Sequence, residues 1–175
     1  MSYIILALLF ILSGFFMKYS DDFMDELGNV RFASILGVIC GIASAVASIY
    51  SVEAAYIFIA IPIGNFIAMK IDGIHHVITL IVYIVILLAC GIPNLSLVIL
   101  LICILGTLAD EVGHELISKV TQNRFLNFFF EYRFVLKIVI FLLAVCGVFN
   151  IWIFVCFIMF ELSYVFAGMV FSRLN

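Results

Sequence analysis

Seven runs of apolar residues, roughly 2–20, 32–50, 54–70, 76–92, 95–110, 134–149 and 151–171, fill most of this chain, and almost no charge interrupts them. Several sit near the lower limit for an α-helix that crosses the hydrocarbon core of a bilayer. In hydrocarbon, every backbone N–H and C=O must be satisfied within its own segment, so the runs predict helices. Of the 175 residues 67% are hydrophobic and only 11% charged, with 19 Phe, more apolar surface than a water-soluble core absorbs. The expected fold is all-α, a polytopic membrane helical bundle of about seven transmembrane helices forming a single domain, 1–175.

Connectors between the runs fix the threading. Ser51-Val52-Glu53, Gly91 to Asn94 and the turn at Asn150 suit tight hairpins, whereas 18–31 and 110–133 are longer and polar. Seven passes put all eight basic residues (Lys18, Arg31, Lys70, Lys119, Arg124, Arg133, Lys137 and Arg173) on one side. By the positive-inside rule that side is cytoplasmic, which leaves the N-terminus outside, the C-terminus inside and a multi-pass protein of the cell membrane. Residues 3–17 lack a positive n-region and an A-x-A site, so they read as a retained span. The five cysteines lie in apolar runs without CxxC spacing and read as small buried hydrophobes. In the second run, Gly37, Gly41 and Ala45, with Ser34 and Ser48 near the same face, predict close approach by a neighbouring helix.

Acids and histidines are concentrated as well. Three blocks, SDDFMDE (20–26), KIDGIHH (70–76) and ADEVGHE (109–115), fall at ends of runs on the cytoplasmic side. If the first helix continues through the first block, Lys18, Asp22, Asp25 and Asn29 share one face. Crowded carboxylates repel one another unless a cation sits between them, and Mg²⁺ is held by one or two carboxylates with water and substrate phosphate. Asp110 precedes His114 by four, Glu111 precedes His114 and Glu115 by three and four, and Asp72 precedes His75 and His76 by three and four. Such spacings put two donors on one helical face. Charges at the ends of spans also serve as solvated caps and topology signals, but carboxylates contribute little to topology. Asp21, Asp22, Asp25, Asn29, Asp72, His76, Asp110, Glu111 and Glu115 are therefore candidate metal ligands, and His114 and His75 candidate ligands or general bases. Glu161 lies midway along the last run, where a charge is costly; Ser163 and Tyr164 are possible partners for its protonated form.

The pattern resembles the UbiA superfamily of intramembrane prenyltransferases, which carry two acidic motifs in cytoplasmic loops four spans apart. Asp21-Asp22-x-x-Asp25-x-x-x-Asn29 matches the first motif with Asn at its last acidic place. Asp110-x-x-x-His114-x-x-x-Ser118 keeps one acid of the second, with Glu111 and Glu115 adjacent. The resemblance implies a helical cavity in which Mg²⁺ (or Mn²⁺) bridges the acidic loops to a prenyl diphosphate while the isoprenoid lies among apolar helices. Arg31, Lys119 or Arg133 would then hold phosphate oxygens. The chain looks like that fold without its first and last helices, which leaves room for a homo-oligomer, and KIDGIHH has no counterpart in the family.

Three functions remain open on the sequence. One is a divalent-metal enzyme acting on a lipid-linked phosphate or diphosphate, by prenyl transfer or by hydrolysis. The second is a cation transporter or channel with an acidic and histidine-rich cytoplasmic vestibule and Glu161 within the membrane. The third is a subunit whose charged face docks another protein. No GxxxxGK[ST] loop or GxSxG elbow is present, and eight dispersed basic residues argue against nucleic acid as a partner.

Overall fold

The computed structural model describes residues 3–71 and 73–174, with Ser118 described in its backbone only. Among these residues there are eight helices: α1 (Tyr3–Asp25), α2 (Val30–Tyr50), α3 (Val52–Ile67), α4 (Ile74–Cys90), α5 (Leu97–Val120), α6 (Arg124–Glu131), α7 (Phe134–Val145) and α8 (Ile151–Leu174). The chain is an all-α bundle. Helices α1, α2, α5 and α8 are long and apolar enough to cross a membrane, while α3, α4 and α7 are apolar but shorter. At 12 residues, α7 extends only about 18 Å, well short of a hydrocarbon core of about 30 Å.

Both polar segments that separate the hairpins are largely helical. Helix α1 runs five residues past its expected limit at 20 before Gly28, at φ 60°, turns the chain. There the Gly28 and Asn29 N–H groups donate to the carbonyls of Met24 and Phe23, both at 3.0 Å, which satisfies the last carbonyls of the helix. Asn29 then caps α2, its Oδ1 accepting from the Phe32 N–H at 3.2 Å. Helix α5 continues through ADEVGHE because its charges share a strip while Val112 and Leu116 stay on an exposed apolar side. Asn123 caps the short α6 through Phe125 and Leu126 N–H bonds.

Packing follows a closed circuit, α1 to α2, α3, α5, α7, α8 and back to α1, with α4 set against α2. Small residues allow the tightest approaches. A Cβ on Gly14 would lie 2.2 Å from the Phe160 carbonyl oxygen of α8, and Cβ atoms on Gly37 and Gly41 would meet Thr79 Oγ1 at 2.4 Å and the Thr79 carbonyl at 2.8 Å. The glycines expected to admit a neighbouring helix therefore admit α4. Buried hydroxyls hold helices together: Ser20 Oγ donates to the Ala33 carbonyl (2.7 Å), Ser44 Oγ to Ser13 Oγ (3.1 Å), and Ser48 shares a 2.9 Å bond with the Tyr83 hydroxyl.

At one end of the bundle the tight connectors meet. Glu53 accepts from Ser51 Oγ (2.8 Å) and from the Asn150 N–H (3.3 Å), and Asn150 Nδ2 donates to the Tyr3 hydroxyl (3.1 Å). Tyr3 also stacks on Trp152. The three charged blocks lie at the other end.

Candidate functional site

Seven of the eight helices line one cavity of about 380 Å³. All three histidines, His75, His76 and His114, reach it. So do the acids Asp21, Asp25, Asp110, Glu111 and Glu161 and the bases Lys18, Lys70 and Arg133. Phe58, Ile61, Leu80, Leu136 and Phe160 add apolar surface to walls that also carry Ser44, Thr79, Tyr83 and Thr107. Charged groups and apolar side chains in one cavity suit an amphiphile whose head is charged and whose tail is greasy.

One wall holds a compact donor set. Tight packing of α4 on Gly37 and Gly41, and of α1 on α2 through Ser20, sets the first turn of α4 beside the last turns of α1. His75 Nε2 lies 3.3 Å and His76 Nε2 3.8 Å from the same atom, Asp21 Oδ1. One ligand atom from each of the three residues lies within 4.8 Å of the others. The imidazole rings are 3.9 Å apart. His75 is only 2% exposed, and its Nδ1 has no hydrogen-bond partner among the described residues.

The opposite wall is built by α5, α7 and α8. Asp110, 1% exposed, accepts the Val135 N–H on Oδ1 (2.8 Å) and the Leu136 N–H on Oδ2 (2.7 Å). It thereby caps α7, whose own N-cap residue, Arg133, supplies no side-chain bond. Glu111 Oε1 takes Arg133 Nε at 2.8 Å. Burial pulls the Arg133 guanidinium down, but Glu111 and more distant acids outweigh it and the group is held above its ordinary range. Glu161 is bonded to neither Ser163 nor Tyr164; Lys137 Nζ donates to its Oε2 at 2.9 Å. Ser163 Oγ faces the carbonyls of Ile11 and Phe160.

Several expected ligands stand elsewhere. Asp22 pairs with Lys18 at 2.7 Å and lies close to Gly168 of α8, outside the cavity lining. The i, i+4 step that puts Lys18 and Asp22 on one face also sends Asp21 to another, so it is Asp21 that meets the histidines. Asn29 leaves the face of α1 once Gly28 breaks the helix, and it serves as a cap. Arg31 is exposed beyond the lining. Glu115 contacts Lys119 (3.6 Å) and Lys70 (3.5 Å) at the surface, and neither Glu115 nor Lys119 lines the cavity. Asp72 lies outside the described residues. Among the expected phosphate-holding residues only Arg133 reaches the cavity, joined there by Lys18 and Lys70. Lys70 was legible only as a member of the KIDGIHH block, and Lys18 only as sharing a helical face with Asp22 and Asp25.

Comparison with protein-family models, with curated proteins and with solved structures finds no match. The functional reading therefore stands on the geometry of the cavity. Its donor set does not reproduce two facing aspartate motifs. Of the acids in those segments, Asp22 is turned away, Asp110 caps α7 and Glu111 holds Arg133, whereas Asp21 stands beside two imidazoles.

Proposed function

We propose that this chain is an integral membrane enzyme that uses a divalent cation, Mg²⁺ or Mn²⁺ or a related ion, to act on a lipid-linked phosphate or diphosphate at its polar cavity. What carries the proposal is the meeting, in one cavity, of the Asp21, His75 and His76 donor set, the cationic Lys70 and Arg133, and apolar side chains such as Phe58, Leu80 and Phe160. The cation neutralises phosphate charge, the bases hold the remaining oxygens, and the tail lies among the helices. His114, which faces the cavity with its Nδ1 3.7 Å from Glu131, is the proposed general base. Prenyl transfer in the manner of the UbiA superfamily and diphosphate hydrolysis both suit this arrangement.

The proposed setting is a cell membrane crossed seven times, with the cavity facing the cytoplasm and the N-terminus outside. The shorter α3, α4 and α7 complete the crossing by local thinning of the bilayer. A C-terminal green fluorescent protein fusion in a bacterial host is expected to fluoresce; a dark fusion, with the matching alkaline phosphatase fusion active, would reverse the orientation.

Weighing against a cation pathway, the Glu161 charge is answered by Lys137, and Tyr83 and Phe58 of the lining belong to the buried hydrophobic core. The test is calorimetric titration of purified protein in detergent with a short-chain prenyl diphosphate, with and without divalent cation. Cation-dependent binding is expected, weakened about tenfold or more by Lys70→Gln, which is worth about 1.4 kcal/mol. Binding that ignores both the cation and Lys70 would count against the proposal.

A further inference from the structure

We infer that Asp21, His75 and His76 form a seat for an imidazole-favouring transition ion, of the Fe²⁺, Co²⁺ or Zn²⁺ class, in preference to Mg²⁺. The inference deepens the proposed function and rests on it only for the substrate oxygens that complete the coordination. Two imidazole nitrogens aim at one carboxylate oxygen, at 3.3 and 3.8 Å. Charge-assisted N–H···O bonds are shorter, at about 2.7–2.9 Å. Donors bound at about 2.0–2.1 Å in a tetrahedron, however, stand roughly 3.3–3.4 Å apart, a spacing that His75 and Asp21 match and that His76 and Asp21 approach. An ion placed between them turns three mutually crowding groups into three ligands.

The chemistry of the donors selects the ion. Imidazole suits Zn²⁺, Fe²⁺ and their neighbours, whereas Mg²⁺ prefers carboxylate, phosphate and water oxygens. Burial adds a second, independent indication. His75 is 98% removed from solvent yet has an Nδ1 without a partner, and a Cβ on Gly73 would lie 2.4 Å from that atom. The close packing on Gly73 holds the ring with Nε2 towards Asp21. The two rings, 3.9 Å apart, are near enough for one nitrogen of each to share an ion with Asp21. Three protein donors leave positions open towards the cavity, where Asp25 shares the lining and a substrate phosphate oxygen would complete the coordination.

The test titrates metal-free, detergent-purified full-length protein with Co²⁺, Zn²⁺, Mn²⁺ and Mg²⁺ and needs no substrate. Co²⁺ is expected to give visible d–d bands that Zn²⁺ abolishes and that about a thousandfold excess of Mg²⁺ leaves intact. His76→Gln and Asp21→Asn are expected to lower Co²⁺ affinity roughly tenfold to a hundredfold or more, a loss at least as large as that on removing a residue that supports a ligand. His114→Gln, outside the triad, is expected to leave it unchanged. Displacement of Co²⁺ by Mg²⁺, or affinity untouched by both triad variants, would overturn the inference while leaving a Mg²⁺-dependent enzyme standing. Should the triad variants fail to fold, the wild-type competition decides the matter alone. Absence of Co²⁺ bands in a folded wild-type protein would also overturn it.

Discussion

Glu111 Oε1 lies 2.8 Å from Nε of Arg133, a non-glycine residue whose backbone sits in the left-handed region at φ 48°. The ion pair bridges α5 to the junction of α6 and α7 and keeps a strained turn in place. Left-handed backbone at such a residue costs of order 1 kcal/mol, and the surrounding contacts must offset it.

Glu111→Ala leaves the Arg133 charge half-buried without its partner. A loss of about 2 kcal/mol is expected, below the 3–5 kcal/mol seen for fully buried pairs because Arg133 is 34% exposed. Since the guanidinium is held above its ordinary value by Glu111, the pair's contribution is present below that value and is lost only as pH rises through the folded pKa. The difference between wild type and Glu111→Ala, measured by thermal unfolding in detergent, should therefore not shrink between pH 7 and 10 through any titration of Arg133.

Asp110 holds α7 through two backbone N–H groups. Asp110→Ala is expected to cost about 1–2 kcal/mol, the range for a lost helix cap. Hydrogen exchange should quicken first at Val135 and Leu136. Uniform quickening along α7, with no bias to those two amides, would deny Asp110 this capping role.

The Lys137–Glu161 pair is mostly buried, at 12% and 21% exposure. Lys137→Met alone is expected to destabilise by about 1–3 kcal/mol, and the double variant Lys137→Met with Glu161→Gln to recover most of that. Additive losses in the double-mutant cycle would mean that the two charges do not act on each other.

Gly14 packs where a Cβ would meet the Phe160 backbone oxygen, whereas a Cβ on Gly106 would touch only the side chain and Cα of residues on α7, at 3.3 Å or more. Gly14→Ala is expected to cost about 1–3 kcal/mol by overpacking, and Gly106→Ala to be close to neutral or stabilising. Equal effects in thermal unfolding would contradict the tight α1–α8 approach.

Helical class, membrane residence and the grouping of acids, bases and histidines were legible because each depends on composition along the chain. Ligand identity was not. Asp21 and Asp22 are neighbours in sequence, yet one faces His75 while the other faces Lys18, a difference set by a 100° step along α1 and by which helix packs where. Asp110 looked like a ligand because spacing reveals charge but not that α7 would begin beside it with unsatisfied N–H groups. Glu161 signalled a functional charge; its partner, Lys137, is 24 residues away and on another helix. The polar stretch 110–133 hid the continuation of α5 and the whole of α6, since helices at a bilayer surface need not be apolar throughout.

The most direct test of the shared cavity asks whether metal and phosphate are bound side by side. Mn²⁺-loaded protein with a short-chain prenyl diphosphate should show ³¹P hyperfine coupling in pulsed electron paramagnetic resonance, together with ¹⁴N coupling from His75 or His76. Mn²⁺ bound without any ³¹P coupling at saturating diphosphate would contradict the account.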